Sequence, residues 1–541
     1  MAARPPDQAE RQPALKAAFD SLQAGRFEAA RDHARPFVQE RDLEAQLLFG
    51  LALAGSGDAA GAAPLLTGVA KQRPQALHPC MDLVSLLQRQ FRARDAEAVF
   101  EACLALTPED ARLQLGYGQL LTELNRPDAA MAAVEESLRL SPGSTAALNQ
   151  KAIILVALGR TLEALDLFRQ VVEIDPRNAP AWANLGCTLV AENSFEQALS
   201  AYRRSIQIKP DDAQVRLNHS IALLKAGRMV QGWQEHEWRF RLPGHTELPL
   251  DRMLPTIGPD SDLSGRSVLL THEEGIGDTL MFLRYVPLLA RMGAKVIAWV
   301  PRNLARVAAR VEGIAGVIAT DEVRLEADWH CPFISLPRAF AATAMPFGAR
   351  PAYLHTDPER VAAAALHLPR PRGPSPPLRV GLVWGGAPRP EHLPAAAVDR
   401  KRSMGLEQLA PLAALRGVSL VSLQYGPYAR ALHDPPQGLD LVDPMDFIED
   451  MDDTASLMRN LDVVVSVDTS MIHLAGGLGM PAILMDRYDN CWRWFHDRTD
   501  SPWYPSVTIV RQTRPGDWGG VVARVVRILQ RMADAKQAAF T

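Results

Sequence analysis

An α-helical solenoid followed by an α/β region of two parallel-sheet halves is the fold class this sequence predicts. Three observations carry it: a strict spacing of prolines through the N-terminal half, an alternation of short apolar runs with helix-like segments from Ser267 onward, and a proline-rich break inside that alternation. At 541 residues the chain exceeds what one hydrophobic core holds, so several domains are expected. Its 47% hydrophobic and 22% charged residues are an ordinary globular balance.

The solenoid comes first. Pro74, Pro108, Pro142, Pro176 and Pro210 fall 34 residues apart. Ten residues after each come Val84, Gly118, Ala152, Gly186 and Ser220, and further on come Ala96, Ala130, Ala164, Ala198 and Gly232. Gly50 and Ala62 extend the frame back by one period. Small residues at two fixed offsets let two antiparallel helices approach closely in each unit. The proline marks the turn where a helix cannot continue. The segment IDPRNAPAWANLGCTLVAENSFEQALSAYRRSIQI, with Trp182, Leu185, Gly186 and Ala198, resembles the tetratricopeptide repeat. About six units run from roughly residue 40 to 240, with a degenerate unit before them, so the array is assigned to residues 9–241.

That resemblance implies a superhelix whose concave face is lined by the first helix of each unit. It implies that Asp82, Gln150, Asn184 and Asn218, all eight residues past a proline, face the groove and hold the backbone of an extended peptide. Read alone, polar residues on an exposed helix face are also simply solvated. The array is expected to bind protein. The last unit ends in MVQGWQEHEWRF, where Trp233, Trp238 and Phe240 read as an apolar plug against the next domain, and residues 242–265 read as a linker.

The α/β region begins with SVLLTH as a strand, TLMFLRYVPLLARMG as a helix and AKVIAWV as a second strand. PRNLARVAARVEG then reads as a helix and IAGVIAT as a strand. LHLPRPRGPSPPL interrupts the pattern, which resumes with RVGLVWGG, MGLEQLAPLAALRG, VSLVSLQYGP, DDTASLMRNLD, DVVVSVDTS, MIHLAGGLG, PAILM and a closing helix in DWGGVVARVVRILQRMADAK. Alternation of this kind predicts helices covering a parallel sheet. Two Rossmann-like halves, residues 266–370 and 371–541, would place a cleft at the carboxyl ends of both sheets.

Between the first strand and helix lies THEEGIGDTLMFLRYVPLL. The dinucleotide fingerprint needs a third glycine at position 280, which is Leu280, and no GxxxxGK[ST] occurs. What remains is a tight turn, Gly275-x-Gly277-Asp278, at a helix N-terminus, where Asp278 is either a helix cap or a cleft carboxylate. Glu273 beside it is an alternative carboxylate.

Six separated motifs occur in one order: EEGIGDTLMFLRYVPLL, VGLVWGGAP, DRKRSMGLEQLAPL, VSLQYGP, DTSMIHLAGGLGMP and DSPWYPSVTIVRQTRPGDW. Together they resemble the glycosyltransferase domain that many bacterial proteins attach to tetratricopeptide repeats, a relative of the heptosyltransferases of glycosyltransferase family 9, with the GT-B fold. The resemblance implies that Asp278 is the general base toward an acceptor hydroxyl. It implies that Lys401, or the adjacent Arg402, neutralises a departing diphosphate, with Gly275 and Gly277 forming the phosphate-facing turn. Asp468, Thr469, Ser470 and His473 match the donor-binding loop, and Gln424 falls where a nucleobase or ribose is contacted. A first half of about 100 residues is short for a heptosyltransferase, so the repeats would take over acceptor recognition.

The function this implies is transfer of sugar from a nucleotide-activated donor to a protein acceptor chosen by the repeats, with inversion at the sugar carbon and flagellin as the acceptor by analogy. The nucleotide sugar is a substrate, so no cofactor is expected. Asp450-Met451-Asp452-Asp453 looks like a DxD metal motif but lies outside the matched site and reads as a charged helix start, so no metal is expected. Two alternatives stand beside this: a non-catalytic adaptor with a degenerate GT-B domain, and a transferase acting on a lipid-linked glycan. A formal net charge of −4 offers no footprint for nucleic acid. No apolar run long enough to span a membrane occurs, and residues 1–13 have no apolar core of the kind a secretory signal needs. Five dispersed cysteines without a C-x-x-C pair suit a reducing, cytoplasmic setting.

Overall fold

The structure, a computed structural model, describes residues 8–540 apart from 39–41, 73–96, 98–99, 102–103, 105–106, 244–248, 259, 274, 321–325, 341–351, 371–374 and 389–392. Asp82 falls outside the described residues. The chain divides into two compact units, residues 1–189 with 207–209, and residues 190–206 with 210–541.

The first unit is a helical solenoid. Its helices come in antiparallel pairs, such as Ala111–Glu123 with Pro127–Leu140 and Thr145–Ala157 with Thr161–Ile174. Gly118 shows why the small offset matters: a Cβ there would lie 2.5 Å from Val134 Cγ2 of the paired helix. Two further periodic devices shape the repeat. Asp42, Asp110, Ser144, Asn178 and Asp212 share one 34-residue register, and each accepts from the backbone N–H three residues on, at 3.0–3.3 Å. Each thus caps a first helix two residues after the repeat proline, or its equivalent position, satisfying an orphan donor. Gly57, Asn125, Gly159, Asn193 and Gly227, in the turn between paired helices, all have positive φ, the left-handed conformation that glycine and asparagine tolerate best.

The second unit opens with the last helices of the repeats, Phe195–Ile208, Ala213–Lys225 and Met229–His236, and continues into two parallel sheets. In the first sheet, β1 (Ser267–Thr271), β2 (Lys295–Trp299), β3 (Ile314–Ile318) and β4 (Trp329–Pro332) are ordered β3-β2-β1-β4. In the second, β5 (Leu378–Val383), β6 (Val418–Ser422), β7 (Leu441–Val442), β8 (Val463–Val467), β9 (Ala482–Asp486) and β10 (Val507–Arg511) are ordered β10-β9-β8-β5-β6-β7. Every pairing is parallel. Strand order therefore reverses beside β1 in the first sheet and beside β5 in the second. Such reversals open a crevice at the strands' carboxyl ends.

The two sheets share one apolar core. Helix Ile276–Phe282 after β1 packs against helix Ser470–Gly477 after β8. Arg284, fully buried, donates to the Trp503 carbonyl at 2.7 Å and lies over the rings of Tyr353, Trp503 and Tyr504. Trp233 of the last repeat helix sits edge-on to Trp492 and Phe282 in the same core. Of the expected plug, Trp233 alone does this. Trp238 lies beneath the guanidinium groups of Arg216 and Arg241, and Phe240 beneath Arg239.

Several elements depart from expectation. The helix expected over 279–293 is broken into Ile276–Phe282, a 3-10 turn at Leu283–Tyr285 and Val286–Arg291, because Pro287 has no N–H for a continuing ladder. The segment 406–414, with Pro411 inside it, is 3-10 rather than α-helix. β4, β7, β10 and helix Leu393–Arg402 were not anticipated.

Candidate functional site

The turns at the two reversals line one cleft of about 680 Å³. Gly275, Gly277 and Asp278 come from the turn after β1, Gly385 and Gly386 from the turn after β5, and Asp468, Thr469 and Ser470 from the turn after β8. Arg402, Gln424 and His473 also line it. The structure thus gathers the residues that the resemblance assigns to the site in the α/β region except Lys401, and it leaves out the alternative carboxylate Glu273.

Asp278 is a cleft carboxylate, not a capping group; helix Ile276–Phe282 has Gly275 at its N-cap and no side-chain cap. Its partner is Arg493, from the loop after β9. Arg493 Nε donates to Asp278 Oδ1 at 3.0 Å, and Nη2 donates to the same oxygen. Burial disfavours the charged guanidinium, yet Asp278, Cys491 and Asp468 together outweigh this and hold its pKa well above the usual arginine value. Both contacts fall on Oδ1.

That loop, Cys491-Trp492-Arg493-Trp494-Phe495, was not anticipated as part of the site. It is fixed from three sides. Trp494 Nε1 donates to Asp468 Oδ1 at 2.8 Å, and the Arg493 guanidinium lies over the Trp492 ring. Arg511 Nη2 donates to the carbonyls of Trp494 and Phe495, and Arg511 is itself held by Asp486 Oδ2 at 2.8 Å. Burial pushes the Asp486 carboxyl up to about 6 against the pull of Arg511. Phe495 sits at φ 51 and ψ 177, a region side chains rarely enter, so these bonds hold strain next to the cleft. The one sequence signal was an arginine between two tryptophans just past an apolar strand.

Across the cleft, Thr469 caps helix Ser470–Gly477 by accepting from Met471 N–H at 3.3 Å. His473, about one turn into that helix, is buried. Its Nδ1 meets Tyr504 OH at 2.9 Å and its ring stacks on Trp494. Burial pushes its pKa down to about 4, so it is a neutral imidazole wedged between the halves.

Gln424 does not offer its amide to the cleft. Oε1 accepts from Trp384 N–H and Gly385 N–H, both at 2.9 Å, and Nε2 donates to the carbonyls of Gly385 and Tyr425. All its capacity goes into shaping the wall, which corrects the expected nucleobase contact. Lys401 and Arg402 lie on the last turn of helix Leu393–Arg402, where cations suit the dipole. Lys401 points away and pairs with Asp489 at 2.8 Å, with 58% of its side chain exposed. Arg402 is the cleft cation: Nη1 donates to the Asp468 carbonyl at 3.2 Å and Nε to Asp399 at 3.1 Å. Gly386 lies close beside it: a Cβ there would fall 2.4 Å from Asp399 Oδ1 and 2.5 Å from Arg402 Nη2.

Glu273 is spent elsewhere, paired with the buried Arg239 at 2.9 Å. Asp450 caps helix Met451–Met458, and Asp450, Asp452 and Asp453 pair with Arg306, Arg310 and Arg360, so the acidic run ties this helix to the first half. Among the described residues no group of His, Cys, Asp or Glu is arranged to hold a metal ion. Among the described residues, too, no helix is long and apolar enough to cross a membrane.

In the repeats, Gln150 is buried and donates to Thr122 Oγ1 at 2.9 Å, so it braces neighbouring units instead of facing a peptide. Asn184 is half-buried and donates to Asn149 Oδ1 at 3.2 Å. Asn218 is half-buried and accepts from Gln214 Nε2 at 3.1 Å.

With this geometry in place, the chain can be compared with known proteins. Tetratricopeptide repeat profiles match residues 81–145, 125–186 and 155–217. The array is a tetratricopeptide array. Protein FlbA of Caulobacter vibrioides is 25% identical over 485 residues, covering 85% of this chain and 74% of its own. Among solved structures, a tetratricopeptide repeat protein from Parabacteroides merdae covers 44% of this chain and 95% of itself at 13% identity, with a TM-score of 0.33. YrrB, a TPR protein with an unusual peptide-binding site, covers 34% of this chain and 95% of itself at 19% identity, with a TM-score of 0.26.

Proposed function

We propose that the α/β region is a GT-B glycosyltransferase domain and that the chain moves a sugar from a nucleotide donor to a protein acceptor. The observation that carries this reading is the meeting of the Asp278 turn and the Asp468-Thr469-Ser470 turn in one cleft at the reversal points of two parallel sheets. Strand order 3-2-1-4-5-6 in the second sheet, counted from β5, is the dinucleotide-type arrangement, and it suits that half to the nucleotide.

In the proposed reaction the acceptor oxygen attacks the anomeric carbon and forms the new C–O bond. The bond from that carbon to the donor phosphate breaks, and its electron pair leaves with the diphosphate. Asp278 takes the acceptor's proton, a contribution of about 10²–10⁴ in rate. Arg402 and the backbone amides at the start of helix Ser470–Gly477 meet the developing phosphate charge. Asp468 orients donor hydroxyls. No metal or cofactor takes part in this scheme. Selection of a protein acceptor, such as flagellin, is assigned to the repeats.

The test is intact-mass analysis of candidate acceptor proteins from cells carrying the wild-type chain or Asp278→Ala. A hexose-sized or similar increment present only with wild type supports the reading. Identical masses in both strains count against it.

A further inference from the structure

Asp278 does not stand free in the cleft, and the way it is held is informative. Arg493 approaches it through Nε and Nη2, and both converge on Oδ1 alone. A guanidinium fork is matched to two oxygens in parallel. Here it is offered one, so the pairing is not the best that this arginine can make. A phosphate in the cleft would present the missing second acceptor.

The position of Arg493 is not accidental. The residues that follow it are fixed by Trp494 on Asp468, by Arg511 on the Trp494 and Phe495 carbonyls, and by Asp486 behind Arg511. A strained residue, Phe495, is held two positions away. That scaffolding aims Arg493 into the cleft beside the Asp468-Thr469-Ser470 turn. Among the described residues, Arg402 and Arg493 are the arginines that line the cleft, and no lysine lines it. Arg402 is anchored to Asp399 and to the Asp468 carbonyl on one wall of the cleft. A group with two or more negative charges calls for a second cation, and among the described residues Arg493 is placed to give it.

We infer that Arg493 is a diphosphate-binding residue that exchanges Asp278 for the phosphate of the nucleotide donor. This rests on the transferase reading of the cleft. Without donor, the arginine occupies the carboxylate. With donor, the fork turns to two phosphate oxygens and Asp278 is released to accept the acceptor's proton. The exchange therefore makes the carboxylate available once the leaving group is in place. It also predicts that Asp278 competes with nucleotide for Arg493.

The experiment is calorimetric titration of the full chain with UDP, GDP, ADP and inorganic pyrophosphate, using wild type, Asp278→Asn, Arg493→Lys, Arg493→Gln and the Asp278→Asn/Arg493→Gln pair. Removing the competing charge is expected to tighten nucleoside diphosphate binding about tenfold in Asp278→Asn. Arg493→Gln is expected to weaken it about tenfold or more, with Arg493→Lys between, since lysine keeps charge and loses the fork. The decisive cycle is the pair: the gain from Asp278→Asn should vanish when Arg493 is Gln. A gain that persists in the pair means that Asp278 only repels the ligand, and it overturns the exchange. An unchanged or weakened Asp278→Asn also overturns it, while the nucleotide cleft stands. Should Arg493→Gln fail to fold, the Asp278→Asn/Arg493→Lys pair takes its place: the gain from Asp278→Asn should shrink when Arg493 is Lys, and an undiminished gain overturns the exchange. If wild type binds none of the four probes, the transferase reading falls, and the exchange falls with it.

Discussion

Gly277 of the first half presses against the imidazole of His473 in the second, so closely that a Cβ on Gly277 would lie 2.8 Å from Cδ2. No alanine fits without moving the ring, and the ring is held by Tyr504 and Trp494. Gly277→Ala is therefore expected to destabilise the second unit by about 1–3 kcal/mol. Denaturant unfolding monitored by tryptophan fluorescence checks this, since Trp492, Trp494 and Trp503 surround the contact.

Lys401 and Arg402 are neighbours with different roles. Lys401 makes an exposed ion pair, of a kind that contributes about 0–1 kcal/mol, so Lys401→Ala should leave nucleotide affinity within about twofold. Arg402 lines the cleft, and Arg402→Ala should weaken nucleoside diphosphate binding about tenfold or more. Parallel titration of the two variants measures the difference.

The Asp450–Asp453 cluster predicts a stability effect without a metal effect. Asp452 is fully buried and depends on Arg310 and Arg360. Arg310→Met, which removes one partner and leaves the buried carboxylate short of charge, should cost about 3 kcal/mol in unfolding free energy. Addition of Mn²⁺ or Mg²⁺ should not shift the melting temperature of the wild-type chain.

His473 predicts a pH dependence. Its ordinary pKa of 6.5 falls to about 4 in the fold because burial disfavours the imidazolium. Between those values the unfolded chain binds more protons, so this residue's contribution is intact above about 6.5 and is lost as pH falls toward 4. Asp486 acts oppositely: raised from 3.8 to about 6 by burial, it favours the folded state at the acid end of its window. Wild type alone therefore hides the histidine effect. The stability difference between wild type and His473→Gln isolates it, and should shrink by about 3 kcal/mol from pH 7 to pH 4.

Repeat architecture was readable because it is written in spacing. The prolines and small residues give the unit, and the same register carries caps at Asp110, Ser144 and Asn178. Asp110→Ala is expected to cost about 1 kcal/mol by urea unfolding of the chain. The groove residues were less legible, since a periodic polar position does not say whether its partner is a peptide or, as for Gln150, the next helix. In the α/β region the long apolar strands were legible, whereas β7, with two residues, and β4, ending in Pro332, carry too little pattern. The turns at Gly275 and Asp468 were visible as glycine- and hydroxyl-rich breaks after apolar runs. Arg493 was not visible, because its role depends on a contact with a residue more than two hundred positions away. Gln424 lines the cleft, and sequence does not reveal that four backbone groups consume its amide.

The central claim is that the Asp278 turn and the Asp468 turn form two walls of one ligand cleft. A crystal structure of the full chain grown with the nucleoside diphosphate that binds it tests this most directly. The expected result is a diphosphate between Gly275–Asp278 and Asp468–Ser470, within hydrogen-bond reach of Arg402. A nucleotide bound elsewhere, or a structure in which those two turns open onto separate surfaces, would contradict the account.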